Sequence, residues 1–569
     1  MTDGFVPWPA EDAARYRAAG YWRGEPLGRL LRDAAAAHGG RTALADPAAR
    51  LTFTEWDTAA DRLAAGLVEL GVRSGDRVLV QLPNRAEFAV LCFALFRIGA
   101  LPVLALPGHR ESELRHLCDL ATAVAFVTVD ELDGHDHAAT ARTLLKTCPS
   151  LRHVVVVGEP GGSGDDSGDD SGDGDTVPYR ALAEGREPAD LPGPDPSGPA
   201  LLLLSGGSTG LPKLIPRTHD DYAYNARTMA AVCGLTAADV HLAVLPVAHN
   251  FPLACPGLLG ALTAGAATVL APNPSPPEVF PLIERERVTV TALVPPLAAL
   301  WTRAVEWVDA DLSSLRLVQV GGARLPEETA RALPGALGCR LQQVFGMAEG
   351  LLCATRPDDP EEVVATTQGR PVSPGDEIRI VGSDGAEVPP GVTGELLTRG
   401  PYTLRGYYRA PEHNARALTP DGFYRSGDLV RRAPSGNLIV EGRVKEQINR
   451  GGEKISPEEV ERHLLAHPGI AQAAVVGVPD EVLGERVCAF LLPAPASQGG
   501  EGTEGTESTA TPPPLSPAAL GEFLRERGLA DFKRPEQVET VTSWPLTGVG
   551  KIDRRALAAI AADRARTAR

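Results

Sequence analysis

Short apolar runs alternate along this chain with longer stretches of helical period. LTFTEW, beginning at Leu51, reads as a strand, residues 57–70 as a helix, DRVLVQLP as a strand, RAEFAVLCFALFRIGA as a helix, LPVLALP as a strand, residues 111–120 as a helix and AVAFVTV as a strand. Strands that alternate with helices in this way predict an α/β architecture with largely parallel sheets. The longest apolar stretch, residues 88–107, is interrupted by Arg97, Gly99 and Pro102. It therefore predicts a buried helix followed by a strand rather than a membrane span, and no membrane partner is expected.

Two segments break the alternation by composition alone. Residues 161–175 (GGSGDDSGDDSGDGD) and 496–517 (ASQGGEGTEGTESTATPPPLSP) lack the apolar residues needed for a core, and both are expected to be solvated loops. Near Gly442 a run of turn residues and charges, GRVKEQINRGGEK, precedes an acidic helix, PEEVERHLLAHPG, and a strand, IAQAAVVGVPD. The boundary of a small C-terminal domain is placed at Lys445, giving domains of residues 1–444 and 445–569. No internal repeat is evident.

Composition narrows the function classes. At roughly 150 residues per domain, 569 residues predict two to four domains with cores of their own, which excludes a small disulfide- or metal-stapled scaffold. The formal charge is −18, with no basic block that could neutralise a phosphate backbone, so nucleic acid is not an expected partner. The eight cysteines stand singly, without a C-x-x-C pair, and the first ten residues lack a charged-then-apolar signal region. Reduced thiols and a cytoplasmic location follow as expectations. His135/His137 and His116/Cys118 lack the companions of a four-ligand site, and no transition metal is assigned.

The chemistry begins at Leu201, where LLLLSGGSTGLPK sets an apolar strand before a loop of Ser, Gly and Thr that ends in lysine. Glycines let backbone N–H groups approach phosphate oxygens, hydroxyls add donors and lysine adds a mobile positive charge. Taken alone, the loop is also compatible with an ordinary Gly/Ser turn. The G-x-x-x-x-G-K-[ST] pattern of P-loop ATPases occurs nowhere in the chain.

SGGSTGLPK resembles the phosphate loop of the adenylate-forming superfamily, and four further motifs follow in that family's order. These are QVFGMAEG at Gln343, YRSGD at Tyr424, GRVKEQINRGGEKISPEE at Gly442 and PLTGVGKID at Pro545. The resemblance covers essentially the whole chain outside the two polar loops. It implies a large N-terminal domain of layered mixed sheets and helices plus a small, mobile C-terminal α+β domain. The implied reaction is attack of a carboxylate on the α-phosphorus of ATP with loss of pyrophosphate, which demands cations and aimed donors.

The residue roles that follow are those the resemblance implies. Ser205, Gly206, Gly207, Ser208, Thr209, Gly210 and Lys213 attend the phosphates, and Glu349 binds Mg2+, a hard ion suited to carboxylate oxygens. Asp428 accepts from the ribose hydroxyls with support from Arg443. Gly321, Gly322, Ala323, Val344, Phe345 and Gly346 surround the adenine. Lys551 reaches the reacting carboxylate and α-phosphate, Lys445 is the hinge, and Gly451 and Gly452 border the pantetheine tunnel.

VAHNFPLACPG at Val247 resembles the corresponding stretch of stand-alone aryl-acid ligases. Asn250 stands where aminoacyl-activating relatives usually carry an aspartate, and a neutral amide suits an ortho-hydroxybenzoate. Phe251 supplies an aromatic wall, and Gly321 also borders the acid. His249 is carried over as a gate near the carboxylate, with a hydrogen-bonded packing role open beside it. Cys255, Leu352 and Cys353 replace the Ser, Val and Asn of 2,3-dihydroxybenzoate ligases, and a thiol is a weak donor where Ser or Asn would pair a second ring hydroxyl. Salicylate is therefore the expected acid, with 2,3-dihydroxybenzoate, 6-methylsalicylate and 3-hydroxypicolinate as alternatives. The expected acceptor is the phosphopantetheine thiol of a separate aryl carrier protein at the start of a siderophore-type nonribosomal pathway. The remaining alternatives are an aryl-CoA ligase and a nucleotide-binding scaffold without turnover.

Overall fold

The computed structural model describes residues 4–158, 176–187, 191, 193–205, 212–382, 384–444, 448–455, 457–494, 516–545 and 552–567. The expected loop at 161–175 and most of that at 496–517 lie outside the described residues, as do Gly206 to Gly210, Lys445 and Lys551. The chain divides into two compact units. One comprises residues 1–107, 115–205 and 213–444, and the other residues 108–114, 206–212 and 445–569.

The larger unit is built on two extensive sheets. The first runs, edge to edge, through Arg370–Pro371, Leu352–Ala354, Arg340–Gly346, Leu317–Gly321, Val290–Leu293, Val240–Ala243, Ala267–Leu270, Thr42–Ala45 and Arg50–Thr52. Its interior neighbours are parallel and its outermost pairs antiparallel. The second runs through Leu214–Thr218, Pro199–Leu204, Leu101–Leu104, Arg77–Gln81, Ala125–Val129, His153–Val157 and Thr176–Pro178. An antiparallel four-stranded sheet, Glu377–Val381 to Leu438–Arg443, completes the unit. Parallel strands buried on both faces read as continuous apolar runs, and Ala125–Val129 is buried at every position.

Helix Ala86–Ile98 is buried along its length apart from Glu87. Its one buried charge, Arg97, is neutralised by Asp57 and Asp61, with Nη1 at 2.6 Å from Asp61 Oδ1. A buried charge needs such partners, and these two come from the facing helix Phe53–Leu70.

That facing helix corrects one expectation. LTFTEW is not a strand: pairing ends at Thr52, and the helix begins at Phe53. Thr52 Oγ1 accepts from the Glu55 N–H at 3.1 Å while Glu55 accepts from the Thr52 N–H at 2.8 Å. This reciprocal cap satisfies two donors that a helix start leaves open, and it outweighs the strand-like alternation.

In the smaller unit a five-stranded sheet joins Glu453–Ile455, Ile448–Arg450, Gly484–Pro493 and Ile470–Asp480, with Gln537–Thr540 parallel to Gly484–Pro493. The stretch read as turns and charges before the acidic helix therefore holds a small hairpin, Ile448–Arg450 with Glu453–Ile455, turned at Gly451 and Gly452. The acidic helix itself is Pro457–Leu464. Pro517, read as the end of the second polar loop, is instead the first residue of helix Pro517–Glu526, capped by Ser516. Among the described residues, no helix is long and apolar enough to cross a membrane.

Candidate active site

The site is built where strands end. Ser205 follows strand Pro199–Leu204 and Lys213 precedes strand Leu214–Thr218. The Ser205 N–H donates to the Lys213 carbonyl at 2.9 Å, and the Lys213 N–H donates to Ser205 Oγ at 3.2 Å. The neck of the Gly/Ser/Thr loop is thus pinned from both sides, while residues 206–211 lie outside the description. Lys213 Nζ lies 5.8 Å from the centre of the Tyr407 ring, within cation–π range.

Tyr407 also organises the glutamate motif. Its hydroxyl donates to Glu349 Oε1 at 2.8 Å and is 2.8 Å from the Tyr424 hydroxyl. Glu349 keeps its second carboxylate oxygen without a protein partner among the described residues, which fits a hard cation. Asp428 is buried in strand Tyr424–Arg432, where its N–H donates to Ser426 Oγ at 3.0 Å. It lies opposite Arg443 in the antiparallel register, and the Arg443 side chain is outside the description.

Gly321, Gly322 and Ala323 follow one another out of strand Leu317–Gly321. A Cβ at Gly321 would meet the Val344 carbonyl at 2.8 Å and Phe251 Cζ at 3.1 Å, so only glycine lets the Phe251 ring lie against this strand end. A Cβ at Gly346 would lie 2.5 Å from Leu352 Cδ2. At both positions the space a side chain would need is taken by the protein itself, so the two glycines set the close packing of Phe251 and Leu352 against the strand ends.

The acid stretch is held by residues that sequence reasoning missed. Asn84 is buried, donates from Nδ2 to the carbonyls of Ala243, Leu245 and Ala271, and accepts from the Val247 N–H at 2.8 Å. It thereby clamps the strand exit that leads into His249 and Asn250. His249 caps helix Asn250–Ala254, its Nδ1 accepting from the Phe251 N–H at 3.2 Å. Asn250 is buried, and its Oδ1 accepts from the Tyr222 hydroxyl at 2.9 Å while its Nδ2 meets Cys255 Sγ at 3.5 Å. Burial pushes the Cys255 thiol up to about 12, which leaves it an uncharged lining group.

Behind Tyr222 lies a buried ion pair. Arg217 Nε donates to Asp221 Oδ1 at 2.8 Å and Nη1 to the Ala348 carbonyl at 3.1 Å, while the guanidinium sits 4.7 Å from the Tyr222 ring centre. Thr218 and Asp221 form a reciprocal cap at the start of helix His219–Val232. No motif announces Arg217 or Tyr222, whereas T-x-x-D before a helix is a legible cap.

Two residues expected together as lining do not share a face. Leu352 and Cys353 are consecutive on strand Leu352–Ala354, so their side chains leave opposite faces of the sheet. Leu352 packs in the cluster that holds Phe251 and Cys255. Cys353 is paired with Phe345 across the strands and belongs to a different apolar cluster. Cys353 thus lies beside Phe345 rather than on the face of Leu352.

Two sheets with parallel interiors, a Gly/Ser/Thr loop held at its neck, and the carboxylates Glu349 and Asp428 belong to a nucleotide-dependent enzyme of the adenylate-forming fold. The chain belongs to the family of AMP-binding enzymes: the family's main domain matches residues 31–408 and its C-terminal domain residues 459–551. It is 51% identical over 557 residues to the 2,3-dihydroxybenzoate-AMP ligase of Bacillus subtilis (strain 168), covering 98% of this chain and 97% of that protein. It is also 51% identical over 560 residues to the salicyl-AMP ligase / salicyl-S-ArCP synthetase of Mycobacterium tuberculosis, covering 97% and 94%. The apo structure of Mycobacterium smegmatis MbtA superposes with a TM-score of 0.72 at 50% identity, covering 98% of each chain.

Proposed function

We propose that this chain activates salicylate and passes it to the phosphopantetheine thiol of a separate aryl carrier protein, starting a siderophore-type nonribosomal assembly. The observation that carries the reading is the pocket head. A neutral amide, Asn250, stands beside Phe251, Cys255 and Leu352, with no acidic side chain among these residues to pair a substrate ammonium. Relatives of equal identity are named for salicylate and for 2,3-dihydroxybenzoate, so overall similarity does not choose between them. Cys255 does, because a thiol pairs a second ring hydroxyl poorly.

In the first step a carboxylate oxygen of the acid attacks the α-phosphorus of ATP and the bond to the β-phosphate oxygen breaks, releasing pyrophosphate. Ser205, Thr209 and Lys213, with the backbone of Gly206, Gly207, Ser208 and Gly210, hold the phosphates. Gly322, Ala323, Val344, Phe345 and Gly346 take the adenine, and Asp428 with Arg443 takes the ribose. Lys551 neutralises charge growing at the α-phosphate and His249 stands at the carboxylate. Glu349 would hold Mg2+, which supplies further neutralisation of phosphate charge when bound.

In the second step the carrier thiol, losing its proton, attacks the acyl carbon and the bond to the AMP phosphate oxygen breaks. The domain of residues 1–444 keeps the acid and nucleotide in both steps, while residues 445–569 rotate at Lys445 and border the pantetheine with Gly451 and Gly452. The proposed location is the cytoplasm.

Acid-dependent ATP/pyrophosphate exchange over salicylate, 2,3-dihydroxybenzoate, 6-methylsalicylate, 3-hydroxypicolinate and benzoate tests the reading. The expected result is the highest kcat/KM for salicylate. Equal or higher efficiency with 2,3-dihydroxybenzoate would overturn the choice of acid, and exchange with none of them would overturn aryl-acid activation. Thioester formation with an aryl carrier protein, compared with free coenzyme A, tests the acceptor.

A further inference from the structure

The Asn250 amide has two edges of opposite character, and the substrate meets whichever one the protein leaves open. Tyr222 is fully buried, 28 residues earlier in the chain, and its hydroxyl donates to Asn250 Oδ1. Among the described residues this is the hydroxyl's one hydrogen bond. Turning the amide over would leave the buried hydroxyl proton without an acceptor, and an unmade buried hydrogen bond is costly. The ring cannot swing away to compensate, because Arg217, itself fully buried and fixed by Asp221 and the Ala348 carbonyl, lies across its face. Burial also pushes the Tyr222 phenol well above its ordinary range, so it remains a donor at every working pH.

The Nδ2 edge is held more loosely. Among the described residues its one hydrogen bond is to the Cys255 sulfur at 3.5 Å, a weak acceptor, and Asn250 keeps 7% of its surface exposed. An acid entering between Phe251 and Cys255 therefore meets a hydrogen-bond donor.

We propose that Tyr222 is a positioning residue that locks the Asn250 amide with its donor edge toward the acid, and so selects an ortho substituent that accepts a hydrogen bond over one that donates. The inference rests on the aryl-acid reading above. In salicylate the phenol proton turns inward to the neighbouring carboxylate, and the phenol oxygen faces outward as an acceptor. In anthranilate one amine N–H turns inward and the other faces outward as a donor, opposing Nδ2. The two acids have nearly the same size and shape, so the amide's orientation is what separates them.

The test is pyrophosphate exchange with salicylate, anthranilate and benzoate. The wild-type protein is expected to favour salicylate over anthranilate by at least about tenfold, with anthranilate no better than benzoate. In Tyr222→Phe the amide is free to turn its oxygen toward the amine. Anthranilate kcat/KM is then expected to rise and the salicylate-to-anthranilate ratio to fall by about tenfold, mostly through KM, since the contact is made equally in ground and transition states. Replacing Tyr222 by p-aminophenylalanine, which keeps an N–H donor at the same place, is expected to restore the ratio. A merely structural role would lower both acids together and leave the ratio unchanged, and that outcome overturns the proposal. Should Tyr222→Phe fail to fold in a thermal melt, the wild-type panel still decides: anthranilate used as well as salicylate overturns the lock. Absence of exchange with any aryl acid would instead overturn the reading on which the lock rests.

Discussion

A hydroxyl introduced at position 255 and one introduced at position 353 are predicted to have different consequences, although both replace a buried thiol. Cys255 Sγ lies beside the Asn250 amide, whereas Cys353 leaves the strand face opposite to that of Leu352 and belongs to a separate apolar cluster. Cys255→Ser should raise kcat/KM for 2,3-dihydroxybenzoate relative to salicylate by about tenfold, the value of pairing one otherwise unmade hydrogen bond. Cys353→Ser should leave the ratio within about twofold while lowering the melting temperature, because it buries a hydroxyl in an apolar cluster. The same exchange assay over the two acids reads both variants. A shift of the ratio by Cys353→Ser alone would reverse the assignment of the two faces. The period of two along a strand already separates Cys353 from Leu352, a distinction that a correspondence of motifs does not carry.

At the scale of elements, the alternation of apolar runs was enough to order the helices and strands of residues 57–129, because parallel strands buried on both faces are nearly continuous in Val, Leu and Ala. The failure at LTFTEW has a definite cause. Thr52 and Glu55 satisfy the T-x-x-E capping pattern, and the cap converts a segment that alternates like a strand into the first turn of helix Phe53–Leu70. Thr52→Ala should therefore cost about 1 kcal/mol of stability, read as a lower denaturation midpoint with unchanged kcat, since the cap is exposed and touches none of the proposed site residues. Unaltered stability would mean that packing of the apolar face alone fixes the helix start. What no local pattern could announce is the scaffold behind the acid. Asn84 reaches Val247 across 163 positions, Tyr222 reaches Asn250 across 28, and Arg217 reaches Ala348 across 131. Such pairs come from the order of strands in the sheets, and each residue considered alone is an ordinary turn, core or surface type.

At the scale of the whole molecule, two chemical steps make opposite electrostatic demands on one chain. Joining an acid to ATP concentrates negative charge at the α-phosphorus and benefits from an added cation, whereas thiol attack on the acyl carbon expels AMP and needs no cation at that phosphorus. The proposed acid-binding residues fall in the larger of the two compact units, while Lys551 belongs to the C-terminal segment assigned to the smaller. The proposed rotation at Lys445 is what withdraws the cation between the steps. Lys551→Ala is therefore expected to lose at least about a hundredfold in pyrophosphate exchange, the scale on which a single charge-stabilising donor counts in catalysis. The same variant should form the carrier thioester from supplied salicyl-adenylate within a few-fold of the wild-type rate. Single-turnover assays of each half-reaction separate the two, because steady-state turnover would report only the slower. Equal losses in both would mean that Lys551 serves a shared ground state, and the division of labour between the units would fall with it.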